Sequence, residues 1–247
     1  MSPPNIWIKI CGNTSLEDAQ LAAEAGADGV GFVFAPSPRR VTSADVAAIV
    51  PHLPAAIEKI GVFVDASFEE IESTVRASGL TGVQLHFGAA PDLPAMIRAR
   101  FGPTLRILRV VHFETAPAAE EFVRTVGRDF SPGIMDAESG GALAPEDWFE
   151  DPNVDAILVD SRTASAVGGT GQTFDWLAAS KTLFQNENVR KYRLVAAGGL
   201  TPSNVADAIT TLRPWGVDVV SGVESSPGRK DPAKVRAFIA KSRNAVG

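Results

Sequence analysis

The single cysteine of this 247-residue chain stands in "WIKICGNT", two positions after a lysine and one before a glycine. A thiol near a cation can act as a base or nucleophile, whereas a lone buried cysteine is commonly a small apolar packing residue. A second candidate is Asp160, which closes the run "AILVD". A carboxyl there can give or take a proton, or simply cap the loop that follows. Two further stretches could hold an anion: "AAGGLTPSNV", with Gly198 and Gly199, and "SGVESSPGRKD", with Ser221 and Gly222. Glycines let backbone N–H groups approach a phosphate closely, and a short extra helix after the second stretch would add its N-terminal dipole. The alternative is that they only make tight turns. "APSPRRV" offers Arg39 and Arg40, a planar carboxylate clasp or a solvated basic turn. A thiol, a carboxyl and a phosphate pocket at one mouth suit proton transfer in a sugar phosphate.

Whether these groups meet depends on the elements that carry them. Apolar, β-rich runs recur at 7–11, 29–34, 59–64, 82–86, 106–111, 155–160, 193–198 and 216–222. Helix-like segments lie between them, from "SLEDAQLAAEAGA" to "DPAKVRAFIAKSR", several opening on Ser, Thr or Asp as N-cap and some closing on Gly. Eight strands alternating with eight helices predict an α/β fold, a single (β/α)8 TIM barrel of parallel strands with helices outside. In that architecture chemistry sits where strands end and βα loops begin, which is where every candidate above falls. The segment at about 128–153, rich in Gly, Pro and acidic residues, breaks the rhythm. It is expected to be an irregular insertion within one domain spanning 1–247.

Strand alternation refines the picture. In the first run Ile6, Ile8 and Ile10 share one face and Trp7, Lys9 and Cys11 the other. The isoleucines should meet the helices, so Lys9 and Cys11 should look into the barrel. Asp218 in the eighth run should face the same interior on a neighbouring strand, and an ion pair with Lys9 is expected because an unpaired buried charge is costly. A lysine one layer below Cys11 should favour the thiolate.

Composition narrows the function classes. The net charge of −6 argues against nucleic acid as a general partner, which needs a basic face to displace counterions. One cysteine excludes an internal disulfide framework or a Cys-rich zinc site, which fits a reducing cytoplasm. There is no signal-peptide pattern and no long apolar run, so a cytoplasmic protein with no membrane partner is expected. Monomer and homodimer remain equally open.

The motifs "KICGNT", "GFVFAPSPRRV", "GVFVD", "VQLH", "LVDS", "GGTGQTFDW", "AGGLTPSNV" and "DVVSGVESSPGRKD" together resemble the series found in the phosphoribosylanthranilate isomerase family of tryptophan biosynthesis. They run in order from about residue 7 to 243. The resemblance implies an Amadori rearrangement needing neither metal nor organic cofactor, on a small phosphorylated substrate. It implies Cys11 as general base at C2, Asp160 as general acid at the ribose ring oxygen, and Arg39 as the grip on the anthranilate carboxylate. Gly198, Gly199, Ser221 and Gly222 would hold the phosphate, with Asp218 also in the substrate site. The loop 162–174 would close over the substrate. Phe87 and Val220 depart from the family pattern, and Arg40, Gln84 and His86 receive no firm role. The readings left in competition are another phosphate-binding barrel isomerase and a non-catalytic phosphosugar-binding barrel.

Overall fold

In the computed structural model, which describes residues 6–86, 90–112, 151–160, 184 and 192–246, eight strands form one closed parallel barrel. They are β1 (Trp7–Ile10), β2 (Gly29–Val33), β3 (Glu58–Phe63), β4 (Gly82–Leu85), β5 (Arg106–His112), β6 (Ala156–Asp160), β7 (Leu194–Ala197) and β8 (Gly216–Val219). Each pairs with its sequence neighbour, and β1 closes the ring on β8. The expected strands are all present, most of them a residue or two shorter at one end. Cys11, Gly198 and Gly222 therefore sit just beyond strands rather than within them.

Six helices lie among the described residues: α1 (Leu16–Glu24), α2 (Ser43–Ile49), α3 (Phe68–Ser78), α4 (Leu93–Phe101), α5 (Val205–Leu212) and α6 (Pro232–Asn244). Their starts follow local chemistry. Ser15 accepts from the Asp18 amide, and Thr42 with Asp45 and Ser67 with Glu70 form reciprocal capping boxes. Asp231 caps α6, with Pro232 at its first turn, where a missing N–H costs nothing. The segment "TSADVAAIVPHL" (42–53), expected to be helical, stops at Ile49 and tightens into a 3₁₀ turn at Val50–His52, because Pro51 has no amide to continue the ladder. The expected helices after β5 and β6, the 162–174 loop and residues 128–150 of the insertion lie outside the described residues.

Two apolar layers organise the barrel. Between strands and helices lie Ile8, Ile10, Val30, Phe32, Val83, Ile107, Ile157 and Val217, packed against helix residues such as Val46, Ile71, Ile97 and Phe238. Inside the ring a smaller set comprises Trp7, Ile60, Leu108, Val110, Ala156, Leu158, Val195 and Ala197. Alternate residues of one strand thus divide between the layers, and Trp7 stacks on Trp215, centroids 5.2 Å apart, near the strands' amino ends. The lumen is a packed core, and in barrels of this architecture chemistry takes place at the carboxyl ends of the strands. Among the described residues no helix is long and apolar enough to cross a membrane.

Candidate active site

The alternation that fills the lumen also aims the candidate groups. Ala156 and Leu158 belong to the inner layer, so Asp160, two residues on at the last position of β6, continues the same face. Cys11 follows β1 on the face of Trp7 and Lys9. Both side chains are buried, Cys11 at 3% and Asp160 at 1% exposure. They lie at the same end of the barrel, β1 and β6 being three strands apart around the ring.

Gly31 confirms where the sulfur points. It pairs in register with Ile60 of the inner layer, and a Cβ built on it would lie 2.4 Å from Cys11 Sγ and 3.0 Å from Lys9 Cε. Only the missing side chain of Gly31 makes room for the thiol and the lysine stem inside the ring.

Beneath the thiol lies a polar chain. Lys9 is completely buried, and its Nζ donates to Asp218 Oδ1 at 2.9 Å and to Gln84 Oε1 at 2.7 Å. The expected Lys9–Asp218 pair is therefore present, on facing positions of β1 and β8. Gln84 Nε2 lies 3.0 Å from His86 Nε2, which carries the chain up to the mouth at the end of β4. Burial works against the Lys9 ammonium, but Asp218 and Cys11 outweigh it and hold its pKa above the ordinary value.

The pull of Lys9 toward the thiolate meets a larger opposing effect at Cys11. Burial is the largest influence on Cys11 and pushes its pKa up; Lys9 and Lys230 pull it down, and Asp218 pushes it up again. Lys9 acts in the anticipated direction but loses to desolvation, so the thiol form is favoured in the ligand-free protein.

The loops after β7 and β8 touch one another. Gly198 and Gly199 take positive φ, 87° and 64°, a turn that glycine adopts without strain. A Cβ on Gly222 would strike the Leu200 carbonyl oxygen at 1.9 Å, so the β8 loop packs directly onto the β7 loop. Ser221 is exposed beside it. The expected short helix here is only a three-residue 3₁₀ turn, Ser221–Val223, followed by a two-stranded hairpin, β9 (Glu224–Ser226) and β10 (Arg229–Lys230). A turn that short supplies no helix dipole of consequence.

Arg39 enters from the β2 loop. Its Nε and Nη2 donate to the two oxygens of Glu224, at 2.8 and 2.6 Å. Glu224 and Lys230 were missed in the sequence, although both stand in the quoted "VESSPGRKD"; the pairing of Glu224 with Arg39, some 185 positions away, and of Lys230 with the Cys11 carbonyl, 219 positions away, has no local signature. Gly31 was missed for the same reason, its meaning lying in a neighbouring strand. Among the described residues no cluster of His, Cys, Asp and Glu could hold a metal ion.

Comparison with known proteins gives a consistent result. A family model described as N-(5'phosphoribosyl)anthranilate (PRA) isomerase matches residues 8–142 and 144–241. An N-(5'-phosphoribosyl)anthranilate isomerase of Pelobacter propionicus is 41% identical over 95% of this chain and 94% of its own. That of Citrifermentans bemidjiense is 39% identical over 96% of each. The crystal structure of the Thermotoga maritima phosphoribosylanthranilate isomerase superposes with a TM-score of 0.76 at 33% identity, covering 97% of this chain and 99% of that one. A solved phosphoribosylanthranilate isomerase in complex with reduced 1-(o-carboxyphenylamino)-1-deoxyribulose 5-phosphate gives 0.73 at 31% identity, over 97% and 99%.

Proposed function

Because this chain belongs to the N-(5'-phosphoribosyl)anthranilate isomerase family, we propose that Cys11 and Asp160 are the base and acid of its reaction. That reaction is the Amadori rearrangement of N-(5'-phosphoribosyl)anthranilate to 1-(2-carboxyphenylamino)-1-deoxyribulose 5-phosphate, a step of tryptophan biosynthesis. The observation that carries the assignment is the placement of both groups, buried and inward-facing, at the carboxyl end of one barrel.

Asp160, in its acid form, protonates the ribose ring oxygen as the anilino nitrogen's lone pair expels it; the C1–O bond breaks and an iminium forms. Cys11, as thiolate, then takes the proton from C2. The C–H electrons become the C1–C2 double bond, and the iminium π electrons return to nitrogen. The resulting enolamine moves its hydroxyl proton to C1 and becomes the ketose. No atom is gained or lost and no electron acceptor is required. The iminium acidifies the C2 proton, and its positive charge near Cys11 lowers the thiol's pKa when the base is needed. This offsets the burial that keeps the sulfur protonated beforehand. The thiol's own proton leaves to solvent, and Asp160 regains one from solvent after the ring has opened, so both groups end as they began.

Arg39 grips the ring carboxylate, a planar anion suited to a guanidinium. Gly198, Gly199, Ser221 and Gly222 supply the phosphate cradle, where the contact between the two loops supports their acting as one site. Asp218, tied to Lys9, shapes the floor from which Cys11 works.

The test is turnover of phosphoribosylanthranilate, followed as loss of anthranilate-type fluorescence. Cys11→Ala and Asp160→Ala should each lower kcat by about 10²-fold or more. Near-wild-type turnover in both variants would refute the assignment.

A further inference from the structure

Glu224 is the meeting point of three loops at the mouth. Besides both donors of Arg39, its Oε1 accepts from Lys230 Nζ at 3.2 Å and from the Gly228 amide at 3.2 Å. Its backbone carbonyl accepts from Lys234 Nζ at 2.8 Å. Lys230 in turn donates to the carbonyl of Cys11 at 2.6 Å and to that of Val220 at 3.3 Å. The hairpin bearing both residues is itself fastened to the β1 loop, by Thr14 Oγ1 to the Gly228 carbonyl at 2.6 Å, and to the first turn of α1, by the Lys230 amide to Asp18 Oδ2 at 3.2 Å.

The exposures give this cluster a direction. The Glu224 side chain is 4% exposed and that of Arg39 is 20% exposed. The carboxylate is the buried counter-ion and the guanidinium is the part that reaches the opening. Arg39 also lies beside the reacting groups: a Cβ on Gly12, the residue after Cys11, would meet Arg39 Cδ at 2.8 Å and Val220 Cγ1 at 3.1 Å. Gly12, at φ 74°, lets the arginine stem cross over the backbone next to the thiol. Held by four side-chain contacts, Glu224 is not a group that substrate displaces. It leaves Arg39 in one orientation, so the entropy of ordering a long side chain is spent before the substrate arrives.

We infer that Glu224 is a positioning residue of this enzyme, fixing the Arg39 guanidinium for the substrate's ring carboxylate while securing Lys230 against the Cys11 carbonyl. The inference rests on the reading of Arg39 as the carboxylate grip. Burial alone would raise the Glu224 pKa, but Arg39 and Lys230 overcome it and hold it below the ordinary value, so the carboxylate stays charged at working pH.

The experiment is a double-mutant cycle on steady-state turnover of phosphoribosylanthranilate, using Glu224→Gln, Arg39→Ala and the pair, with inorganic phosphate as competing ligand. Glu224→Gln should raise KM about tenfold, the size of one charge-assisted hydrogen bond, while kcat stays within about twofold. The inhibition constant of phosphate should not move. In the Arg39→Ala background Glu224→Gln should cost nothing further, because the group it positions is gone. An unchanged KM, a parallel loss of kcat and phosphate binding, or a full penalty retained without Arg39 would each overturn the inference. If Arg39→Ala itself leaves KM at the wild-type value, the carboxylate grip is wrong, whatever Glu224→Gln does. Should Glu224→Gln prevent folding by stranding Lys230, Glu224→Gln/Lys230→Met removes both buried charges, and the same KM criterion applies with and without Arg39.

Discussion

Lys9 Nζ sits 2.9 Å from Asp218 Oδ1, the two residues facing each other across the seam where β8 closes on β1. The lysine is fully buried and also donates to Gln84 of β4, so one ammonium ties three strands across the lumen directly below the thiol. A charge so placed is tolerable only because both acceptors are in reach.

Lys9→Met should therefore destabilise the fold by about 3 kcal/mol or more, since it strands Asp218 beneath the site. Urea unfolding at neutral pH measures the loss. Lys9→Met/Asp218→Asn should recover part of it, and a double variant as unstable as the sum of two singles would show that the pair is not coupled.

Because Cys11 is the only cysteine in the sequence, its ionisation can be followed by thiolate absorbance without interference from another thiol. In the ligand-free protein the sulfur should titrate above the ordinary thiol value, burial being the dominant cause. Lys9→Met should move it further up and Asp218→Asn should move it down, following the signs of their charges. The linkage is as definite: a thiol harder to ionise when folded costs stability as pH rises beyond its unfolded pKa of about 8.5. A wild-type thiol titrating at or below that value would contradict the burial argument.

Gly31→Ala tests the space around the sulfur. Its new Cβ would have to lie 2.4 Å from Sγ and 3.0 Å from the Lys9 stem, so thiol, lysine or strand must shift. Misplacement of a catalytic group by about 1 Å costs about 10²-fold in rate, so kcat should fall by roughly 10- to 100-fold. Full activity in Gly31→Ala would mean that the sulfur is not held as described.

Much of this was legible before any coordinates. The period-two pattern of "IWIKIC" divides isoleucines from Lys9 and Cys11, and a parallel barrel has only one interior for the latter face. The Lys9–Asp218 pair followed because closure makes the first and last strands neighbours. What could not be read is whatever depends on how much water remains. The sign of the Cys11 shift is a contest between desolvation and a nearby ammonium, and the sequence supplies only the second. Nor could Glu224 be found, because a carboxylate in a short hairpin looks solvated until Arg39 arrives from the β2 loop. Pro51 was legible as a helix stop but was read through.

Glu224 also sets an acid limit. Its folded-state pKa lies below its unfolded one, so its contribution to stability is complete above about pH 4.3, the usual value for a free glutamate, and is lost as pH falls through the lower folded value. Wild-type stability should therefore drop on acidification below about pH 4.3 by more than that of Glu224→Gln, which has no such carboxylate to protonate. The drop should be smaller in Arg39→Ala, where one of the two cations that depress the value is missing. Unfolding midpoints measured between neutral and acid pH for the three proteins decide it, and parallel curves would mean that the Arg39–Glu224 contact is broken in solution.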